Sequence, residues 1–296
     1  MAPVVAWRPA GLAQRAGLAL AEALRRDRGG DESFGPDGRL LLRSPADNLV
    51  AHGAGVGPPV RRRPAPVRVR APGSAAALTV NSFAPWRACP ELLPLGGAVG
   101  FQAFQFDVRC PTGLRGTPPH LDLLALRADR GVAVAARCTE HLAPRRGQVA
   151  RAYDRFLDES DELTAWRGQL RELREQPGVY RHLDAAALVK HALALGRNFP
   201  DRPVTLLYLF WEPLDADAFP EFRRHREEVQ RFARAIAAGG EGGGKVGFRA
   251  ASFEELWRDW VAMADPPHWL AGHLRLLRAR YGVAIGHGAA AAAARP

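Results

Sequence analysis

The sequence predicts a mixed α/β fold, a central sheet with helices packed on its faces. Three observations predict it. Three short runs with strand character follow one another between residues 101 and 138. A continuous apolar run of strand length stands at 204–211, as expected of a strand buried on both faces. Helical apolar spacing fills the chain between and after these runs.

Taken in order, residues 11–26 read as a helix ended by Gly29 and Gly30, with Leu20 and Leu24 one turn apart. A Gly/Pro/Arg stretch then runs to about Ala75, which puts the start of the compact core there. The strand runs are 101–108, 121–126 and 132–138, and the last two flank a turn at 128–131. Together they predict an antiparallel meander. Helical patterns follow at 149–158, 161–176 and 183–195, with Gly178 as punctuation. After the buried strand come a helix at 219–238, a glycine-rich turn, a short strand at 246–250 and a helix from Phe253. The chain divides into 1–76 (helix and Pro/Arg-rich linker), a core at 77–262, and 263–296 (a last helix and an alanine-rich tail expected to be disordered).

Composition bounds the function. With 296 residues, 47% of them hydrophobic, the chain can bury one large core or two small ones. Three cysteines without a C-x-x-C spacing exclude a disulfide scaffold and a cysteine zinc site, and place the chain in a reducing, cytoplasmic compartment. No apolar stretch of membrane-spanning length occurs, and the first residues lack a basic and then apolar leader, so neither a membrane nor export is expected. The net charge is +10, yet only Lys190 and Lys245 are lysines, so arginine is favoured throughout. Much of the excess lies at 58–70, where Arg61, Arg62 and Arg63 stand among prolines. That run reads either as an extended phosphate-gripping arm or as a solvated linker.

Several patterns are decoys. The 239–245 run fits G-x-x-x-x-G-K, but Val246 stands where a hydroxyl should hold Mg²⁺, and the run precedes a strand rather than a helix. The nine histidines show no H-E-x-x-H and read as structural or surface residues. No G-x-S-x-G and no Cys/His nucleophile pattern is present.

One constellation can carry chemistry. Closing the 121–138 hairpin on Ala128 and Gly131 pairs Asp122 with Arg137 and Leu124 with Ala135, so Asp122, Ala135 and Arg137 share one face of the sheet. Metal-assisted phosphodiester cleavage uses an acid on one strand with an acid and a cation two apart on its neighbour. Here one carboxylate is missing. The same geometry also describes an aspartate with a cross-strand arginine partner. On the helix that follows, Ala187 and Lys190 share a face.

The blocks Pro118-Pro119-His120-Leu121-Asp122, Val132 to Cys138 with Thr139-Glu140-His141, Leu183 to Leu193, and Leu206 to Pro213 resemble, in this order, a bacterial family of restriction endonucleases of the PD-(D/E)xK superfamily. The resemblance spans roughly residues 80–260 and implies a restriction-endonuclease-like αβββαβ core that cuts DNA with Mg²⁺. It implies Asp122 as the metal-binding aspartate and Lys190 as a matched catalytic residue, with Arg137 standing in the catalytic lysine's place; Glu140, a candidate second metal ligand, Glu212 and Asp107 are the carboxylates available to compensate for the missing one. Where the family carries Glu-Ser-Lys this chain has Ala135, Ala136 and Arg137, and its expected Gln is Ala187. Two readings follow: an Mg²⁺-dependent DNA endonuclease weakened by these losses, or an inactive relative that binds nucleic acid or a partner protein. DNA is the expected partner, and a homodimer is an open assembly.

Overall fold

The computed structural model describes residues 11–28, 41–50, 67–144, 146–158, 163–238 and 244–286. Arg61, Arg62 and Arg63, most of the glycine-rich run and the alanine tail lie outside these residues.

Five strands form one mixed sheet in the order β1 (Ala103–Arg109), β2 (His120–Leu126), β3 (Gly131–Arg137), β4 (Val204–Phe210), β5 (Val246–Ser252). The first three are antiparallel, and β3, β4 and β5 run parallel. Parallel neighbours need crossovers, and the helices α4 (Ala185–Asn198) and α5 (Pro220–Ala238) supply them. The expected α/β class, with a mixed sheet flanked by helices, is what the chain forms.

Alternation along β3 separates two cores. Val132, Val134, Ala136 and Cys138 pack with the helices α1 (Leu12–Arg28), α2 (Ala75–Phe83), α6 (Phe253–Val261) and α7 (Leu270–Tyr281). Ala133 and Ala135 pack against α3 (Thr164–Glu175), α4 and α5. Helix α1 is joined to the sheet's first face through α7. The wholly buried Arg280 guanidinium donates to the carbonyls of Leu20 and Pro72 and to Asn48 Oδ1, at 2.8–2.9 Å. Among the described residues no helix is long and apolar enough to cross a membrane.

Three local expectations change. Residues 151–158 form a 3-10 helix rather than an α-helix. Arg174 donates to the carbonyls of Val149 and Ala150 and to Asp154, which draws off the acceptors an α-helix start would use. A helix with no counterpart in the sequence reading, α2, opens on Ser74, whose hydroxyl accepts from Ala77 N. Finally, the hairpin closes between Arg127 and Arg130, not Ala128 and Gly131. Leu124 therefore lies opposite Ala133 and not Ala135. The slip is two residues, an even number, so Leu124, Ala133 and Ala135 still share a face, but alternation breaks beside Asp107, where Leu123 packs in the first core and Leu121 in the second.

Candidate functional site

The carboxyl ends of β3, β4 and β5 lie at one level, where Arg137 pairs with Phe210 and Phe210 with Ser252. Ligand crevices of open α/β sheets form outside such strand ends. The β2–β3 ladder runs only from Leu126↔Gly131 to Leu123↔Val134, while β3 keeps its pairing to β4 as far as Arg137. Beyond that point a side chain replaces the ladder: Ala136 N–H donates to Asp122 Oδ2 at 2.7 Å. The two strands part there, leaving a notch.

Asp122 is partly buried where the alternation of β2 breaks, its neighbours Leu121 and Leu123 packing into different cores. Burial raises its carboxyl pKa to about 6; the Ala136 amide and Arg137 oppose the rise, and Glu140 and Asp107 add to it. On β1, Phe106↔Leu123 and Val108↔Leu121 flank a position where Asp107 stands opposite Asp122. Asp107 adopts a left-handed φ of 51°, strained for a non-glycine residue, and its exposed carboxylate meets His120 Nδ1 at 2.8 Å.

Arg137 ends β3, and its guanidinium is partly exposed. Its Nη1 donates to Ala136 O at 2.8 Å and its Nη2 lies 3.4 Å from Asp184 Oδ2. Asp184 is the N-cap of α4, its other oxygen accepting from Ala187 N at 3.0 Å. One carboxylate thus ties the helix start to the end of β3. The segment before the cap is held equally firmly. Glu228 on α5 accepts from the successive amides of Arg181, His182 and Leu183 at 2.8–3.0 Å.

The structure brings Asp122, Arg137 and Glu140 into one electrostatic neighbourhood. Glu140 follows β3 in a 3-10 turn, where its carboxylate accepts from Cys138 N at 2.7 Å. Lys190 takes another direction, donating to Gln148 O at 3.0 Å and lying 5.9 Å from the Tyr153 ring. Glu212 is occupied by Arg226, which donates to both its oxygens at 2.8 Å. Ala135, at the place of the family's carboxylate, is wholly buried and paired with Tyr208.

These residues do not fit an Mg²⁺ site. A hard dication asks for several oxygen ligands with carboxylates converging on it. Among the described residues no group of three or more metal-ligating side chains converges. One Asp122 oxygen is taken by an amide, the neighbouring strand offers the Ala135 methyl group, and the residue that ends that strand is a cation.

Beside Arg137 lies a small cavity of about 10 Å³, room for about one water, lined by Glu140, His141, Arg181, His182 and Asp184. His141 is 3% exposed and neither ring nitrogen has a hydrogen-bond partner. Its ring lies 4.4 Å from that of His225, whose Nε2 meets the Tyr208 hydroxyl at 2.9 Å. Burial, then the neighbouring histidines and Arg137, holds the His141 pKa well below its usual value. Sequence reasoning missed this cluster because its members come from the β3–α3 connection, the start of α4, and α5. Only Asp184, an N-cap residue before an alanine-rich helix, carries a local signal. Comparison with protein-family models, curated proteins and solved structures finds no match for this chain.

Proposed function

We propose that this chain is a nuclease-like domain that grips nucleic-acid phosphate at Arg137 without hydrolysing it through a divalent cation. The observation that carries the reading is the partly exposed Arg137 guanidinium at the end of β3, beside Asp184, where a metal-dependent enzyme needs convergent carboxylates. A guanidinium holds a phosphate through paired N–H donors but does not deprotonate to activate water. The order α2, β1 to β3, α4, β4 supports the restriction-endonuclease-like resemblance, and Asp122 sits on the strand that resemblance names.

The test is DNA binding as a function of salt. Single- and double-stranded DNA are expected to bind with an affinity that falls steeply as salt rises. Arg137→Ala should weaken binding across sequences and reduce the log–log salt slope by about one. Binding that Arg137→Ala leaves unchanged contradicts the assignment. Mg²⁺-dependent cleavage would instead favour the second reading, an endonuclease, which the retention of Asp122 and Glu140 beside Arg137 supports.

A further inference from the structure

We propose that the cavity beyond the ends of β4 and β5 takes a nucleobase; resting on the reading above, this is the unstacked base of a strand whose phosphate lies on Arg137. The cavity measures about 650 Å³, within the range of small-molecule sites. It lies between α5 and the start of α6, whose apolar residues pack into opposite faces of the sheet. Small residues make the room. Ala250 and Ala251 are only half-buried where β5 stops, and Gly282 after α7 adds no side chain to the lining. The sheet also fixes where the cavity stands relative to Arg137. Phe210, part of its lining, is paired with Arg137 on β3, and Trp211 N donates to Arg137 O at 2.9 Å. Neighbouring strands lie about 4.8 Å apart, so a phosphate on Arg137 leaves the cavity within reach of the base it carries.

The lining selects the chemistry. Its carboxylates are already matched: Arg226 donates to Glu212 and Asp217, Arg278 donates to Glu254, and Glu255 accepts from the Ser252 amide and hydroxyl at the cap of α6. A lining matched in this way suits a neutral ligand better than a metal ion or a free anion. Its polar groups are nevertheless of both kinds. Gln230 on α5 and Arg258 on α6 stand exposed on the two walls as donors, and each carboxylate keeps lone pairs for a further N–H. Arginine and glutamine read the acceptor edges of purines, and carboxylates accept from the amino groups of bases. Buried Trp211, Phe253 and Trp257 back the cavity, which keeps these walls in place. A flat, neutral ring with polar edges fits this arrangement. It must leave its stack to enter, which favours a single strand.

A short single strand and an abasic strand of the same length and charge are titrated into the full chain, with the free nucleosides as separate ligands and as competitors. The base-bearing strand should bind about tenfold tighter, the worth of one or two hydrogen bonds to charged groups. Nucleosides should bind on their own and compete away that difference. Gln230→Ala and Arg258→Ala should each remove most of it, and Gln230→Ala, which alters no charge, should leave the abasic strand bound as before. Both positions are exposed, so the variants are expected to fold. Equal affinity for the two strands overturns this inference and leaves the phosphate-gripping reading standing. A base-dependent difference that neither variant touches overturns the cavity as its seat. Nucleoside binding without binding of either strand keeps the base site and overturns its nucleic-acid source. Failure of strands and nucleosides alike overturns both.

Discussion

Ala135 and Asp122 occupy neighbouring strands and carry opposite lessons about the notch. Ala135 is wholly buried against the α3–α4–α5 core. A carboxylate there would be enclosed by apolar groups, so Ala135→Glu is expected to destabilise the fold by about 3 kcal/mol and lower Tm by several degrees. An unchanged Tm in a calorimetric scan would show that the position opens to solvent. Asp122 is the reverse case, a carboxylate kept where burial disfavours its charge. Its folded pKa of about 6 lies above the unfolded value near 3.8, so the ionised group costs stability fully above pH 6 and nothing below about pH 4. Asp122→Asn should therefore stabilise the protein by about 2 kcal/mol at pH 7.5 and leave it unchanged near pH 4. Denaturant melts at the two pH values check this, and an equal effect at both contradicts it. That Leu124 and Ala135 share a face was legible from period-2 alternation, whereas the side taken by Asp122 was hidden by the break in alternation between Leu121 and Leu123. The hairpin register was hidden too, because the closing pair of a short turn depends on backbone angles that Ala-Asp-Arg-Gly leaves open.

At the scale of elements, the turn after β3, helix α4 and helix α5 each bury a histidine: His141, His191 and His225. Burial first, then nearby positive groups, lowers all three pKa values, to about 4 for His191, to about 3 for His225, and well below 6.5 for His141. Each stays neutral in the fold while the unfolded chain takes up a proton near pH 6.5. Stability therefore falls as pH drops below 6.5, by about 2 kcal/mol per histidine at pH 5. Asp122 works the other way over the same range but returns only about 1 kcal/mol, so the histidines prevail. Denaturation midpoints should drop steeply between pH 7 and 5, and a flat profile would contradict neutral burial. Most elements were legible: strands from apolar runs, helices from their periodicity. Helix α2 was hidden by lying against the Pro/Arg stretch. The 151–158 segment was misjudged because the carbonyls just before it, those of Val149 and Ala150, are captured by Arg174, a partner more than twenty residues away.

Across the whole molecule, the charge of +10 says little about the notch. Five arginines of the 58–70 segment contribute much of it, and three of them, Arg61, Arg62 and Arg63, fall outside the described residues. What the fold contributes is convergence. Three parallel strands end at one level, β2 leaves β3 there, and α4 starts beside the gap with its cap on Arg137. No local pattern encodes that meeting, since Arg137, Asp184 and Glu228 are separated by more than forty residues each. The central claim is a phosphate grip that needs no metal. Its most direct test incubates the protein with labelled DNA at low salt, in EDTA and in Mg²⁺ or Mn²⁺, and reads binding and strand length together. The account predicts the same salt-sensitive binding in all three and intact DNA throughout. Cleavage that appears only with the divalent cation and disappears in Asp122→Ala would contradict it.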